Sequence, residues 1–457
     1  MPKNNDDLMQ KIVSLAKRRG FVFPGSEIYG GFANSYSYGP YGTELKNNIK
    51  NLWWKTFVSD RQDIVGLDGP IMLNPKVWEA SGHTSGFNDA MVDCKECKKR
   101  FRADHLVEQS TGRDLEGDLK AMSDILKDEK VKCPNCGKSN WTEVRNFNMM
   151  FKTEMNGIDE PVYLRPETAG AIFVDFKNVI DSMRVKIPFG IAQIGKAFRN
   201  EIIAGNFIFR LREFEQMEIE YFIDPKTKWE PLFEEWLVAQ EKFALALGAH
   251  KKDLKKYEHP KEKLSHYSKK TVDIEYNFPF GFSELYGLAH RGDFDLTQHS
   301  KFSGEDLTYL DQASNRKYIP HVLEPTFGVD RSVLVALSSA YTEEAVGDET
   351  RIVLKFPKNL APIKAAIFPL LKNKENLVSK AKEVFDLLKG EFMCEFDDNG
   401  NIGKRYRRQD EIGTPYCVTI DFDTLADGTV TVRDRDTMEQ ERVSLDNLKD
   451  YLIKNLK

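Results

Sequence analysis

The chain has 457 residues, of which 41% are hydrophobic and 30% charged, with a net charge of −5. That is ordinary for a soluble globular protein of roughly three domains, and no apolar run approaches membrane-spanning length. The acidic balance does not exclude a nucleic-acid partner, because contact with phosphates needs only a local basic patch.

Residues 1–7 carry no apolar h-region, so no secretory signal is expected. Residues 5–19 place Leu8, Ile12, Leu15 and Ala16 on one helical face. Residues 21–40, rich in Gly, Tyr and Ser, read as turns and short strands. Residues 44–58 form a second amphipathic helix, with Leu45, Ile49, Leu52, Trp53 and Phe57. Composition shifts over 91–148, where two cysteine pairs flank a charged stretch (108–130) with few apolar residues. This reads as an insertion on a larger core. Residues 161–223 return to strands, and 229–249 are strongly helical. The basic tail 251–270 is broken by His259-Pro260. A second strand-rich section, 272–331, runs into an apolar segment, 332–337, that reads as a buried helix. A boundary near Phe356-Pro357 opens a small α/β domain: a strand at 365–368, a helix over 377–388, and strands at 417–420 and 429–432.

Six cysteines, four of them in Cys-x-x-Cys pairs, fit a reducing compartment with a metal site better than a disulfide scaffold, so a cytoplasmic location is expected. Cys94, Cys97, Cys133 and Cys136 have the spacing of a four-thiolate zinc site. Such a site leaves no open coordination position and would be structural. The alternative is four reduced thiols without metal. Cys394 and Cys417 lie in apolar strands and read as core residues.

Two charged strings stand out. In Phe198-Arg199-Asn200-Glu201, continued by Arg212-Glu213-Phe214-Glu215-Gln216-Met217-Glu218, a guanidinium suits a phosphate. Glu201 suits an adenine amine, and Phe214 suits stacking on a base. The bland alternative is a solvated, charged strand. Far downstream, Glu324-Pro325-Thr326-Phe327-Gly328-Val329-Asp330-Arg331 puts a glycine and a cation at a helix start, where the cation can approach a ligand closely. Gly190-Ile191-Ala192-Gln193-Ile194-Gly195-Lys196-Ala197 nearly matches a P-loop. It lacks the final hydroxyl and reads as a strand. Lys404-Arg405-Tyr406-Arg407-Arg408 suits phosphate contact and stacking on unpaired bases. Its alternative is a solvated, charged strand edge.

The two charged strings resemble motifs 2 and 3 of the class II aminoacyl-tRNA synthetases. Trp78-Glu79-Ala80-Ser81-Gly82-His83, Leu164-Arg165-Pro166-Glu167-Thr168-Ala169 and Arg407-Arg408-Gln409-Asp410-Glu411-Ile412-Gly413-Thr414-Pro415 are similar to strings of the homodimeric glycyl-tRNA synthetases. The likeness spans nearly the whole chain. It implies an α+β fold: a class II antiparallel sheet flanked by helices (1–90 and 149–355), a zinc-knuckle insertion (91–148) and a C-terminal anticodon-binding domain (356–457). It implies ATP-dependent attachment of glycine to glycine tRNA through a glycyl-adenylate, and a homodimer with the 44–58 helix at its interface, the alternative for that helix being a plain core helix. No membrane or DNA partner is implied, and no segment requires an editing domain.

The resemblance also assigns residues. Arg199, Glu201 and Arg331 are expected to be catalytic, with Arg331 covering adenine and reaching the γ-phosphate. ATP is expected to touch Asn200, Phe209, Arg210, Leu211, Arg212, Glu213, Phe214, Glu284, Leu285, Gly328, Val329 and Asp330. Glycine is expected to touch Arg100, Glu167, Phe214, Glu215, Gln216, Met217, Glu218, Glu324, Pro325, Thr326, Phe327 and Gly328. Glu284 and Glu324 are expected to hold Mg²⁺ on the phosphates. Thr326 stands where the family usually has Ser, and Gly170 where it usually has Gln. The extra methyl of Thr326 would tighten rejection of alanine. Arg291, Asp293, Asp295 and His299 lie in a string similar to the family's, and read either as active-site support or as a structural salt bridge. The alternatives are a synthetase for serine, threonine or proline, and a non-catalytic RNA-binding paralogue.

Overall fold

The computed structural model describes residues 5–113, 115, 117–202, 205–265 and 267–456. Seven strands form the main sheet: β1 (Ile64–Gly66), β2 (Phe189–Phe198), β3 (Glu213–Ile223), β4 (Leu254–Glu258), β5 (Lys270–Phe278), β6 (Gly281–Gly292) and β7 (His321–Gly328). Their order is β4-β5-β6-β7-β3-β2-β1. Every pairing is antiparallel except that of β1 with β2. The expected antiparallel core is therefore present. The near-P-loop is the middle of β2, and a Cβ on Gly195 would collide with the Arg165 guanidinium.

Six helices flank the sheet: α1 (Asn5–Arg18), α2 (Pro40–Trp54), α3 (Ala169–Met183), α4 (Trp229–Ala246), α5 (Phe294–Ser303) and α6 (Val329–Ala340). The two faces of the sheet follow from strand alternation. On β3, Met217, Ile219, Tyr221 and Ile223 enter the largest core with Leu45, Ile49 and Trp53 of α2, Phe233 and Trp236 of α4, and Val333 of α6. The opposite face changes character along its length. At one end Phe222, Phe189, Ile191 and Val322 pack under Phe173 and Phe176 of α3 and Leu296 of α5. Farther along, the same face carries Glu220, Glu218, Gln216 and Phe214, and a cleft opens over it.

Three expectations change. The second helix starts at Pro40, whose ring suits a first helical turn, and a π-helical turn (Lys55–Ser59) follows it. The stretch 251–270 is not simply a basic tail, because its residues 254–258 pair as edge strand β4. The run Lys404–Arg408 lies on a helix (Ile402–Ile412), started by the Asn401 side chain accepting from Lys404 N and ended at Gly413. It is no strand edge. Arg405 is buried and donates to the Asp398 and Gly400 carbonyls, while Arg408 is held by Asp397. Lys404 remains exposed.

The insertion has a three-stranded sheet of its own (Asn88–Asp93, Arg100–Arg102, Arg145–Asn148). Two helices, Ala103–Thr111 and Leu119–Asp128, pack their Leu106, Val107, Met122 and Leu126 with Trp141 around the cysteines. The C-terminal portion builds a five-stranded mixed sheet around Ala365–Pro369, with a separate core formed with Leu377, Leu388, Leu448 and Leu452. It is anchored to the rest by buried charge. Asp410 accepts from Arg351 and Arg433, and Arg435 donates to the Phe356 carbonyl.

Candidate active site

The cleft has a volume of about 440 Å³, within the usual range for small-ligand sites. One end is cationic. Arg199, at the end of β2, donates to the Pro166 carbonyl, and its guanidinium lies 5.3 Å from the Phe214 ring and 5.4 Å from that of Phe87. Arg331, on the first turn of α6, lies 4.5 Å over Phe209 and 3.0 Å from Glu284. Arg331 holds Glu284 below the usual carboxylate range. Arg210 and Arg102 add charge to the same walls. Burial raises the Glu201 carboxyl, and Arg210 and Arg199 partly offset it.

The other end is acidic and buried. Glu218 accepts from Thr326 Oγ1 at 2.9 Å and from Thr168 Oγ1. Arg291 grips Asp295 through two bonds and Glu324 through one of 2.5 Å. Glu167 lies 3.4 Å from His83 Nε2. Burial would raise Glu167, but His83, Arg291 and Arg199 outweigh it and hold the group at about 2. Burial pushes Glu324 up to about 8, against the pull of Arg291 and with Glu218 and Glu167 adding to it. An acid-lined end beside a single shielded arginine suits a small ammonium-bearing ligand, while the open cationic end suits phosphates.

Most expected residues line this cleft: Glu167, Arg199, Glu201, Phe209, Arg210, Leu211, Phe214, Gln216, Glu218, Glu284, Leu285, Glu324, Thr326, Gly328 and Arg331. Others do not serve it directly. Met217, Phe327 and Val329 point into the opposite core. Glu213 pairs with Lys196, and Arg212 donates to the Glu201 carbonyl; neither lines the cleft, nor do Asn200 and Pro325. Glu215 and Asp330 touch the cleft, but their carboxylates are engaged elsewhere. Glu215 bonds Lys46 and Lys50 of α2, and Asp330 accepts from Tyr38 and from Glu215 N. Arg100 is held by Asp93 on the surface of the insertion, away from the cleft; Arg102 is the arginine of that strand that lines it.

Glu284 and Glu324, both expected to hold Mg²⁺, do not lie together. Ala289 pairs with Glu324, and Glu284 lies five residues back along β6. At strand rise that separates the two acids by about 17 Å, too far for one ion. Glu284 belongs with the cationic end, whereas Glu324 belongs with Arg291. The Phe214 ring, expected to stack on a base, is covered by Arg199.

Sequence reasoning gave no role to His83 or Tyr267. The Trp78–His83 string was the available signal for the first. Nothing local marks Tyr267, whose ring lies 4.2 Å from the Arg291 guanidinium. Arg291, left between two readings, is both a salt-bridge residue and a cleft residue.

In the insertion, Cys94 Sγ is 3.6 Å from Cys136 Sγ, and Cys97 Sγ is 3.7 Å from Cys133 Sγ. A tetrahedral ion bonded to sulfur at about 2.3 Å sets sulfur–sulfur edges of about 3.8 Å. The four thiols therefore have the spacing to hold zinc.

Two family models match the chain: the tRNA synthetase class II core domain (G, H, P, S and T) over residues 127–340, and an anticodon binding domain over 364–455. The glycine–tRNA ligase of Clostridium acetobutylicum is 54% identical over 99% of this chain and 100% of its own. That of Acetivibrio thermocellus is 53% identical, covering 97% of each chain. That of Geobacillus thermodenitrificans is 52% identical, covering 99% of each.

Proposed function

The chain belongs to the glycine–tRNA ligase family of class II aminoacyl-tRNA synthetases, and from that premise we propose how its cleft works. It activates glycine with ATP and transfers it to glycine tRNA. The carboxylate of glycine attacks the α-phosphorus, pyrophosphate leaves, and a hydroxyl of the tRNA's terminal adenosine then attacks the glycyl-adenylate carbonyl. The carboxylate is already a nucleophile, so the protein supplies position and charge and no side-chain base. This fits a cleft built of Arg and Glu.

Arg199 takes the α-phosphate, and Arg331 covers adenine and reaches the γ-phosphate. Glu201 accepts from the adenine amine, and Phe214 receives the base once Arg199 turns to phosphate. Glu284 offers a carboxylate that would hold Mg²⁺, which would neutralise charge on the phosphates. At the other end Glu167, Glu218 and Glu324 take the ammonium, and Thr326 stands against Cα, leaving no room for a side chain. Steric exclusion suffices for the smallest amino acid, so no editing site is needed.

The observation that carries this reading is the convergence of Glu167, Glu218, Glu324 and Thr326 at the closed end of a cleft whose open end carries Arg199 and Arg331. The proposal includes the three-part division at 91–148 and 356–457, zinc at the four cysteines, a cytoplasmic site of action and a homodimer. Exposed Ile28, Tyr29 and Phe32 lend the dimer an apolar patch. Among the described residues no helix is long and apolar enough to cross a membrane. The test is ATP–pyrophosphate exchange with each amino acid. Exchange with glycine alone is expected; exchange with alanine, serine or proline but not glycine overturns the reading.

A further inference from the structure

Glu218 and Glu324 line the cleft, but Glu220, which lies between them and the apolar layer, does not. Glu218 faces Thr326 and Tyr221 faces Leu323, so the same register sets Glu220 opposite Glu324. On its other flank is Ile191, and the next residue on its face is Phe222, under α3. Glu220 is 0% exposed, and among the described residues neither carboxylate oxygen has a hydrogen-bond partner. Glu218, Glu220 and Glu324 nevertheless each bring an oxygen within 4.8 Å of the others.

An ionised carboxylate is not stable in such a place without a partner. The charged and titratable groups around it are Glu218 on its own strand, Glu324 on β7, Arg291 on β6, Asp295 and His299 on α5, and Glu167 and His83 beyond. The Arg291 guanidinium is committed to Asp295 and Glu324. Gln193 on β2, opposite Glu218, is neutral. Glu324, in contrast, has only one oxygen engaged by Arg291.

We propose that Glu220 is a positioning residue for the substrate's ammonium group: it remains a carboxylic acid and donates its hydroxyl hydrogen to the Glu324 carboxylate from behind. Glu324 is then held between Arg291 and Glu220, with its remaining lone pairs toward the cleft. Burial, reinforced by Glu324 and Glu218 against the pull of Arg291, holds the Glu220 carboxyl well above the usual carboxylate range.

The inference rests on glycine activation, and the experiment separates the two. Glycine-dependent pyrophosphate exchange is measured from about pH 6.5 to 9 for the wild type, Glu220→Gln and Glu220→Leu. No exchange in the wild type sinks the functional reading, whatever residue 220 does. Given exchange, Glu220→Gln, neutral and still a donor, is expected to keep KM for glycine within about threefold and to reproduce the wild-type pH profile. Glu220→Leu is expected to raise KM for glycine by about tenfold or more, with KM for ATP little changed. The inference is overturned if Gln raises KM as much as Leu, or if Leu leaves KM unchanged. If the Leu variant does not fold, the Gln profile decides: an unchanged limb supports the acid form, and a lost limb refutes it.

Discussion

Arg291 Nη1 holds Glu324 Oε1 at 2.5 Å, and the same guanidinium grips Asp295 at 2.8 and 2.9 Å. One fixed cation, 2% exposed, thus balances a wall of buried acids. Arg291→Leu leaves Asp295 and Glu324 uncompensated and should cost roughly 3–5 kcal/mol of stability, together with glycine-dependent exchange. Arg291→Lys keeps the charge but not the fork, and should fall between. Urea unfolding and exchange assays read both; an unchanged unfolding midpoint in the Leu variant contradicts the role.

Thr326 donates to Glu218, and in the proposed site it stands against the Cα of glycine. Thr326→Ser keeps the hydroxyl and removes one methyl. Glycine exchange should persist, while kcat/KM for alanine rises about tenfold or more. Thr326→Val keeps the shape but loses the donor, so KM for glycine should rise. Equal alanine discrimination in the wild type and the Ser variant would remove the steric argument.

The acids at this end predict opposite pH dependences. In the unfolded chain glutamates titrate near about 4.3. Glu324, at about 8 in the fold, binds a proton that the unfolded chain has lost, so its contribution to stability declines as pH rises from about 4.3 to 8, by at most about 1.4 kcal/mol per unit. Glu167, held at about 2, contributes stability that is present above about 4.3 and lost as pH falls toward 2. With the proposed pairing of the ammonium to ionised Glu324, the rise in melting temperature produced by saturating glycine should be larger at pH 8.5 than at pH 6.5. A pH-independent increment counts against Glu324.

Asp410 ties the C-terminal domain to Arg351, which is fully buried. Asp410→Ala removes the carboxylate shared by Arg351 and Arg433, leaves Arg351 with Glu344 and the Arg435 carbonyl, and should destabilise their packing by roughly 1–3 kcal/mol. Pyrophosphate exchange, which needs no tRNA, should survive while tRNA charging falls. An equal loss of both would show that the damage reaches the catalytic core.

One zinc ion per chain is expected by elemental analysis. Cys133→Ser should lose it and loosen the core around Trp141, seen as faster proteolysis within 91–148. Metal-free wild-type protein purified without chelator refutes the zinc site.

Much of this was legible in the chain itself. Cys-x-x-Cys spacing marked each pair of thiols as a knuckle, while the fold brought the two knuckles together. Met217 and Glu218 were both expected to touch glycine, although neighbours on a strand must face opposite ways, and Met217 turns into the opposite core. The strings around Arg199 and Arg331 marked the two cations that the fold places along one cleft.

Contacts between distant segments were not legible. Strand alternation separates Glu215 from Glu218 but does not reveal that Lys46 and Lys50 wait on the other side. Only the pairing of β6 with β7 separated Glu284 from Glu324, and only burial turned Arg405 inward from a run that looked free to bind RNA. The sequence determined which chemistry was present and which residues shared a face. The tertiary structure decided which charges met, because the energy of a buried charge depends on partners that register and packing bring from far along the chain.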